Sequence, residues 1–163
     1  MGVMVVKTYE ERFAALEAVQ AIRTLKHRYM LECDNGYKPE KLGLMFAQDA
    51  IWENSQVFGR HEGRHAIESF FARVSSQIVF AAHLALNDII DVEGDTATGQ
   101  WRMVMPCTIM EDGKSVSRWI LGDYEEVYVR QNGVWLFQNV NFFMNFNTPV
   151  DESWVGTEML RPR

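Results

Sequence analysis

Four apolar runs fill the second half of the chain, near residues 78–91, 96–110, 115–130 and 134–147. Glu93-Gly94-Asp95, Glu111-Asp112-Gly113 and Gln131-Asn132-Gly133 separate them. Each separator supplies the Gly, Asn or Asp that a tight hairpin needs. The pattern predicts four consecutive antiparallel strands of about a dozen residues, where an ordinary strand has about 5–6. Strands that long curl rather than lie flat. Pro106 cannot donate to a ladder, so an edge or a bulge is expected there, which helps the sheet to bend.

The first part of the chain has helical spacing. Thr8-x-x-Glu11 is a capping box that starts a helix at Tyr9. Phe13, Leu16, Val19, Ile22, Leu25, Tyr29 and Cys33 follow at three- and four-residue steps and predict one buried stripe. Asn35-Gly36 ends the helix, with Gly36 available for a left-handed cap. A short helix over 40–46 follows Pro39, then a short strand over 49–53, a turn or hairpin at Gly59-Arg60-His61-Glu62-Gly63 and a helix over 64–74. Helices first and a curved sheet afterwards make an α+β fold in which the helices cover one face of the sheet.

The length of 163 residues suits one domain spanning 1–163, with a core over about 10–147 and a C-terminal tail over 148–163 that is a surface tail or a subunit contact. A net charge of −6 argues against nucleic acid or an anionic membrane as the partner. No apolar run approaches the roughly 20 residues of a membrane span. Met1 to Val6 are too few and too uncharged for a signal peptide. Cys33 and Cys107 lie far apart without metal-ligand spacing, so a reduced, cytoplasmic chain is expected. Aromatic residues at 12%, together with nine Met, suit a β-rich core or a cavity that holds an apolar ligand.

Two residues break the local rules. Asp34 closes a long helix, where the negative end of the macrodipole disfavours a carboxylate. It reads either as turn chemistry in Asp-Asn-Gly or as a catalytic acid. At about 100° per residue it lies about 140° around the helix from Tyr29. Both can meet one ligand only if the helix unwinds before Gly36 or a cavity wraps its end. His83 shares a strand face with the small residues Val79, Ala81 and Ala85, which leaves room for a ligand. It reads either as a core histidine or as half of a His–acid pair able to move a proton near pH 7. On the later strands, Trp101, Met103, Met105 and Cys107 share one face, and Val134, Leu136, Val140, Phe142, Met144 and Phe146 share another. Asn139, Asn141 and Asn145 are placed to orient a polar group or to make subunit contacts. His61 and His65 flank Glu62 but are read as solvated surface, and no metal is expected. Nucleotide and serine-hydrolase motifs are absent.

Tyr29-x-x-x-x-Asp34 at the end of a long helix, a strand histidine at 83, Gly122-x-Tyr124 and Gly133-x-Trp135 together resemble the SnoaL-like branch of the NTF2-like superfamily, over about residues 10–147. The resemblance implies a cone in which N-terminal helices pack on a strongly curved, mostly antiparallel sheet around an apolar pocket. It is most similar to the scytalone dehydratase and bile-acid 7α-dehydratase group, and to hexachlorocyclohexane dehydrochlorinase. That likeness implies a cofactor-free elimination: His83 the general base, Asp34 the group that orients and charges it, and Tyr29 the hydroxyl donor toward the leaving oxygen. Tyr29 favours the dehydratases, because the dehydrochlorinase has a Lys at the matching place. Scytalone dehydratase has a second pocket His where this chain has Trp101, Met103 and Trp119. Some relatives carry an Arg on the last strand, and none lies between Arg130 and Arg161 here. Trp52, Trp101, Met103, Trp119, Asn141 and Phe142 are the expected substrate contacts. The substrate is then a hydroxylated cyclic or aromatic small molecule, the reaction loss of water, and the assembly a homo-oligomer, dimer or trimer. An isomerase or polyketide-cyclase-like enzyme on the same pocket, or a non-catalytic binding or assembly domain, are the alternatives.

Overall fold

Local chemistry sets both ends of the first helix, α1 (Tyr9–Asp34). Thr8 Oγ1 accepts the Glu11 N–H at 3.2 Å, and Glu11 accepts the Thr8 N–H at 2.6 Å. The C-terminal end is a Schellman motif: Gly36 N–H reaches Cys33 O at 3.2 Å and Tyr37 N–H reaches Glu32 O at 3.1 Å, with Gly36 at φ +91°. The computed structural model describes residues 8–157. The sequence reading of Met1 to Val6 and the end of the expected tail, 158–163, lie outside them.

After α1 come α2 (Pro39–Gly43), β1 (Phe46–Asn54), β2 (Gly59–Glu62), α3 (Arg64–Val74), β3 (Ile78–Ala81), β4 (Leu84–Glu93), β5 (Thr96–Glu111), β6 (Lys114–Gln131) and β7 (Val134–Pro149). α2 is shorter than the spacing predicts. Phe46 already lies in β1, fully buried and paired with Phe137, so tertiary burial overrides the helical pattern. The sheet order is β2-β1-β7-β6-β5-β3, with β4 also paired to β5. β1 runs parallel to β7 and the other pairs are antiparallel. Among the described residues three helices therefore pack on a mixed, open, curved sheet, an α+β fold.

The predicted strand over 78–91 is two strands, β3 and β4. Ala81 faces Cys107 and Leu84 faces Val104, so the register is unchanged across the gap. Pro106 stands opposite: its carbonyl accepts the Ala82 N–H at 3.1 Å, and it has no N–H to return. The proline thus interrupts a ladder rather than marking an edge or a bulge.

Bulges occur elsewhere and set which side chains face inward. On β7 the pairing with β6 shifts between Phe137 and Asn139 and again between Met144 and Phe146. A one-residue shift moves every later side chain to the opposite face. The inner face of β7 is therefore Trp135, Phe137, Val140, Phe142 and Met144, and the uninterrupted alternation that placed Val134, Leu136 and Phe146 with them does not hold. Phe146 instead stacks on Trp154, in the short 3₁₀ turn Trp154–Gly156, with ring centroids 6.0 Å apart.

The buried face of α1 also departs from the expected stripe. It consists of Ala18, Ile22, Lys26, Tyr29, Met30 and Cys33, whereas Phe13 and Leu16 are exposed. Repeated three-residue steps rotate about −60° each, which carries Phe13 about 180° away from Ile22. Lys26 is fully buried, as its stripe position dictates. Its ammonium is hydrogen-bonded to the equally buried Glu126 of β6 and lies 3.3 Å from the Tyr124 ring centroid. Tyr128 Oη donates to the other Glu126 oxygen, and Trp101 Nε1 donates to Tyr128 Oη at 2.9 Å. Burial pulls the Lys26 pKa down, opposed by the Glu126 charge.

Removing one partner of a buried ion pair strands the other in low dielectric. Lys26→Met is expected to lower unfolding free energy by about 3–5 kcal/mol, and Lys26→Met with Glu126→Leu to recover most of it. Urea unfolding followed by tryptophan fluorescence measures both. A single variant as stable as the parent would contradict this account.

Candidate active site

The end of α1 and the break between β3 and β4 meet around one imidazole. Asp34 Oδ1 lies 2.6 Å from His83 Nδ1 and accepts the His83 backbone N–H at 3.0 Å. The same carboxylate thus holds the ring and the backbone of His83. The His83 backbone N–H belongs to the side of the strand turned away from β5, since Ala82 is the residue that donates across the ladder, so Pro106, with no N–H to return, accounts for the break. An ionised carboxylate only accepts, so Nδ1 carries a proton and Nε2 of the neutral ring is an acceptor. Nε2 lies 3.2 Å from the hydroxyl of Tyr37. The Schellman motif places that group: Asp34 is the last helical residue and Tyr37 follows the glycine cap, so one turn presents both to His83. Tyr37 has φ +52°, a left-handed conformation that costs a side-chain-bearing residue roughly 1–2 kcal/mol.

His83 and Tyr37 open onto a cavity of about 380 Å³ inside the curved sheet. This is at the small end of ligand sites, which span about 300–1,000 Å³. Met103 and Met105 of β5, Ile120 and Tyr124 of β6, and Phe142 and Met144 of β7 form one wall. Tyr29 and Cys33 of α1, Trp52 of β1 and Phe70, Phe71 and Val74 of α3 form the other. No Asp, Glu, Lys or Arg lines it among the described residues. Burial pushes the Tyr29, Tyr37 and Tyr124 phenols and the Cys33 thiol well up, so they remain protonated donors.

Tyr29 Oη accepts the Trp52 indole N–H at 3.1 Å, which leaves the phenol's own proton for another acceptor. The segment after β1 is pinned across the mouth. Asn54 Nδ2 donates to Phe142 O at 2.9 Å, and the Gln56 amide pairs with both backbone groups of Met144, at 2.7 and 3.0 Å. Val57 and Phe58 thereby reach the cavity.

The SnoaL-like domain family matches residues 14–141. The chain belongs to the SnoaL-like family. A search of curated proteins finds no matching sequence. Among solved structures, this SnoaL-like chain is similar to a type 2 hexachlorocyclohexane dehydrochlorinase, with 23% identity, 85% of this chain and 92% of that chain covered, and a TM-score of 0.76. It is similar to a type 3 dehydrochlorinase from Novosphingobium barchaimii LL02, with 23% identity, 90% and 97% covered, and a TM-score of 0.74. A protein from Novosphingobium aromaticivorans DSM 12444, provisionally named scytalone dehydratase, has 20% identity, 85% and 96% covered, and a TM-score of 0.72. Identities this low carry the fold alone. No helix among the described residues is long and apolar enough to cross a membrane.

The expected site residues divide into two groups. His83, Tyr29, Trp52, Met103 and Phe142 line the cavity, and Asp34 stands behind His83. That arrangement removes the angular conflict between Tyr29 and Asp34, because Asp34 acts through the imidazole and need not face the ligand. Trp101, Trp119 and Asn141 are elsewhere. Trp101 is on the inner face but packs at the filled end, with its ring 6.0 Å from His27 and its N–H on Tyr128. Trp119 precedes the inward Ile120, so the strand period turns it to the outer face, opposite Pro106 and Thr148. Asn141 precedes Phe142 and is turned outward for the same reason. The second β7 bulge brings Asn147, which was not expected, to the cavity. His61 is not solvated surface: it stacks on Phe70 at 4.3 Å, and burial lowers its pKa. His65 is exposed. Tyr37 was not expected either. Its only sequence signal is its place directly after the Asn35-Gly36 cap.

Gly122 lies under Phe142, where an added Cβ would sit 2.2 Å from the ring and 2.7 Å from Phe143 O. Gly122→Ala is expected to push Phe142 into the cavity and cost about 1–3 kcal/mol. Differential scanning calorimetry should show Tm falling by about 2–4 °C per kcal/mol lost. An unchanged Tm would mean that the wall gives freely.

Proposed function

We propose that this chain is a cofactor-independent lyase that removes water from a hydroxylated cyclic or aromatic small molecule. The observation that carries the proposal is the 2.6 Å Asp34–His83 contact, with Nε2 on the Tyr37 hydroxyl at the wall of an uncharged cavity. A buried imidazole with a protonated Nδ1 and an acceptor Nε2 suits proton removal beside a carbonyl. Asp34 holds that tautomer and stabilises the imidazolium that forms. Tyr29, with its oxygen held by Trp52, is the donor that helps the hydroxyl leave as water. Trp52, Met103 and Phe142 contact the rings of the substrate. The uncharged lining favours a neutral ligand, because no described residue of the lining carries a fixed charge to offset the desolvation of an ionic one.

General acid–base groups supply roughly 10²–10⁴-fold each, so the substrate must already be activated, as a β-hydroxy ketone is. The test is a panel of ring β-hydroxy ketones beginning with 3-hydroxy-1-tetralone, whose loss of water gives 1-naphthol, a fluorescent product. His83→Ala and Asp34→Asn are each expected to slow product formation by roughly 10²–10⁴-fold while circular dichroism stays unchanged. Product formation that is indifferent to His83 would defeat the proposal.

A further inference from the structure

Tyr37 holds the one face of His83 through which a proton can travel. Nδ1 is taken by Asp34, so exchange with a ligand must use Nε2, and Nε2 already has a hydrogen-bond partner in Tyr37 Oη at 3.2 Å. Tyr37 itself lines the cavity and is only 5% exposed. Its ring is fixed, stacked on Phe71 at 6.1 Å and edge-on to His83 at 5.9 Å. Its backbone is fixed as well, with the N–H on Glu32 O at 3.1 Å. A hydroxyl so confined is not a cap that swings aside when a ligand enters.

We propose that Tyr37 is a proton relay between His83 and the ligand, so that Asp34, His83 and Tyr37 form one chain of donors and acceptors. The inference rests on the acid–base reading of His83 given above. In the forward step Tyr37 Oη takes the proton from the ligand carbon as its own proton passes to His83 Nε2. The C–H electron pair moves into the adjacent carbonyl to give an enolate, and the imidazolium is held by Asp34. In the return step Nε2–H gives its proton back to Tyr37, which passes one on. With a β-hydroxyl present, that proton joins the hydroxyl, which Tyr29 holds by a hydrogen bond, and water leaves while the enolate pair forms the double bond. Without one, the proton returns to carbon. Tyr37 is neutral before and after. Burial, with no cationic side chain lining the cavity among the described residues, disfavours a standing phenolate, so the phenol must transfer its proton as it receives one.

The probe is 2-tetralone in deuterium oxide, where exchange at the activated ring carbon needs proton transfer and no leaving group. Exchange by the parent protein should depend on His83, and Tyr37→Phe should slow it by roughly 10²-fold. Tyr37→Phe at or above the parent rate would overturn the relay and leave His83 acting directly. Replacing Tyr37 with 3-fluorotyrosine keeps the shape and lowers the phenol pKa. A rate that shifts with it supports the relay, and an unchanged rate opposes it. The ¹⁵N resonance of His83 Nε2 needs no turnover. Loss of the Tyr37 bond in the Phe variant should move it downfield, and an unmoved signal overturns the proposal. If the parent protein exchanges nothing, the acid–base reading of His83 fails, and the Nε2 signal still decides whether Tyr37 holds that nitrogen.

Discussion

Asp34 accepts two hydrogen bonds from one residue, and the site is organised around that fact. A carboxylate at the end of a helix faces the negative pole of the helix and needs donors to offset it. The His83 backbone N–H and the ring Nδ1–H are those donors. The first bond ties the end of α1 to the gap between β3, which ends at Ala81, and β4, which starts at Leu84. The second sets the tautomer and points Nε2 at the cavity. One interaction therefore links the terminus of α1, a break in the sheet and the chemistry of the imidazole. Pro106 leaves the opposing strand one donor short at the same place, so the break costs the sheet little.

The cavity exists because the sheet curls, and its lining is set by where the β7 ladder slips. Inner residues along β6 keep a strict two-residue period through Ile120, Gly122, Tyr124, Glu126 and Tyr128. The partner strand β7 changes phase twice against them. Phe142 and Met144 face inward between the two slips, and Asn147 does so after the second. Gly122 is the space into which the Phe142 ring fits.

The inner face of the cone has two ends with different physics. Under the middle of α1 it is filled: Lys26, Glu126, Tyr128 and Trp101 satisfy one another without water-exposed surface, and Lys26 adds a cation–π contact with Tyr124. Beyond Tyr124 the face is open and lined by neutral groups. Tyr124 separates the buried charges from the cavity, with its ring on the ammonium and its hydroxyl directed to Met103 Sδ at 3.6 Å. The pair supports the cavity wall from behind and adds no charge to the lining.

The capping box at Thr8, the Gly36 cap, the hairpins at Gly94, Asp112-Gly113 and Asn132-Gly133, and the bounds of α3 are all legible in the sequence, because each is fixed by hydrogen bonds and φ preferences within a few residues. The unusual characters of Asp34 and His83 are legible too, since each violates a local preference. Their pairing across 49 residues is implied in the sequence by the family likeness alone, and the 2.6 Å contact itself is decided by the tertiary structure. So are the partnership of Lys26 with Glu126, the inward turn of Asn147, the outward turn of Trp119 and the arrival of Tyr37 at Nε2. Local propensities act over a few residues at a time. Which face a strand presents depends on slips in its pairing with another strand, and which charges meet depends on how a helix lies across the sheet, so both are settled by contacts between segments far apart in the chain.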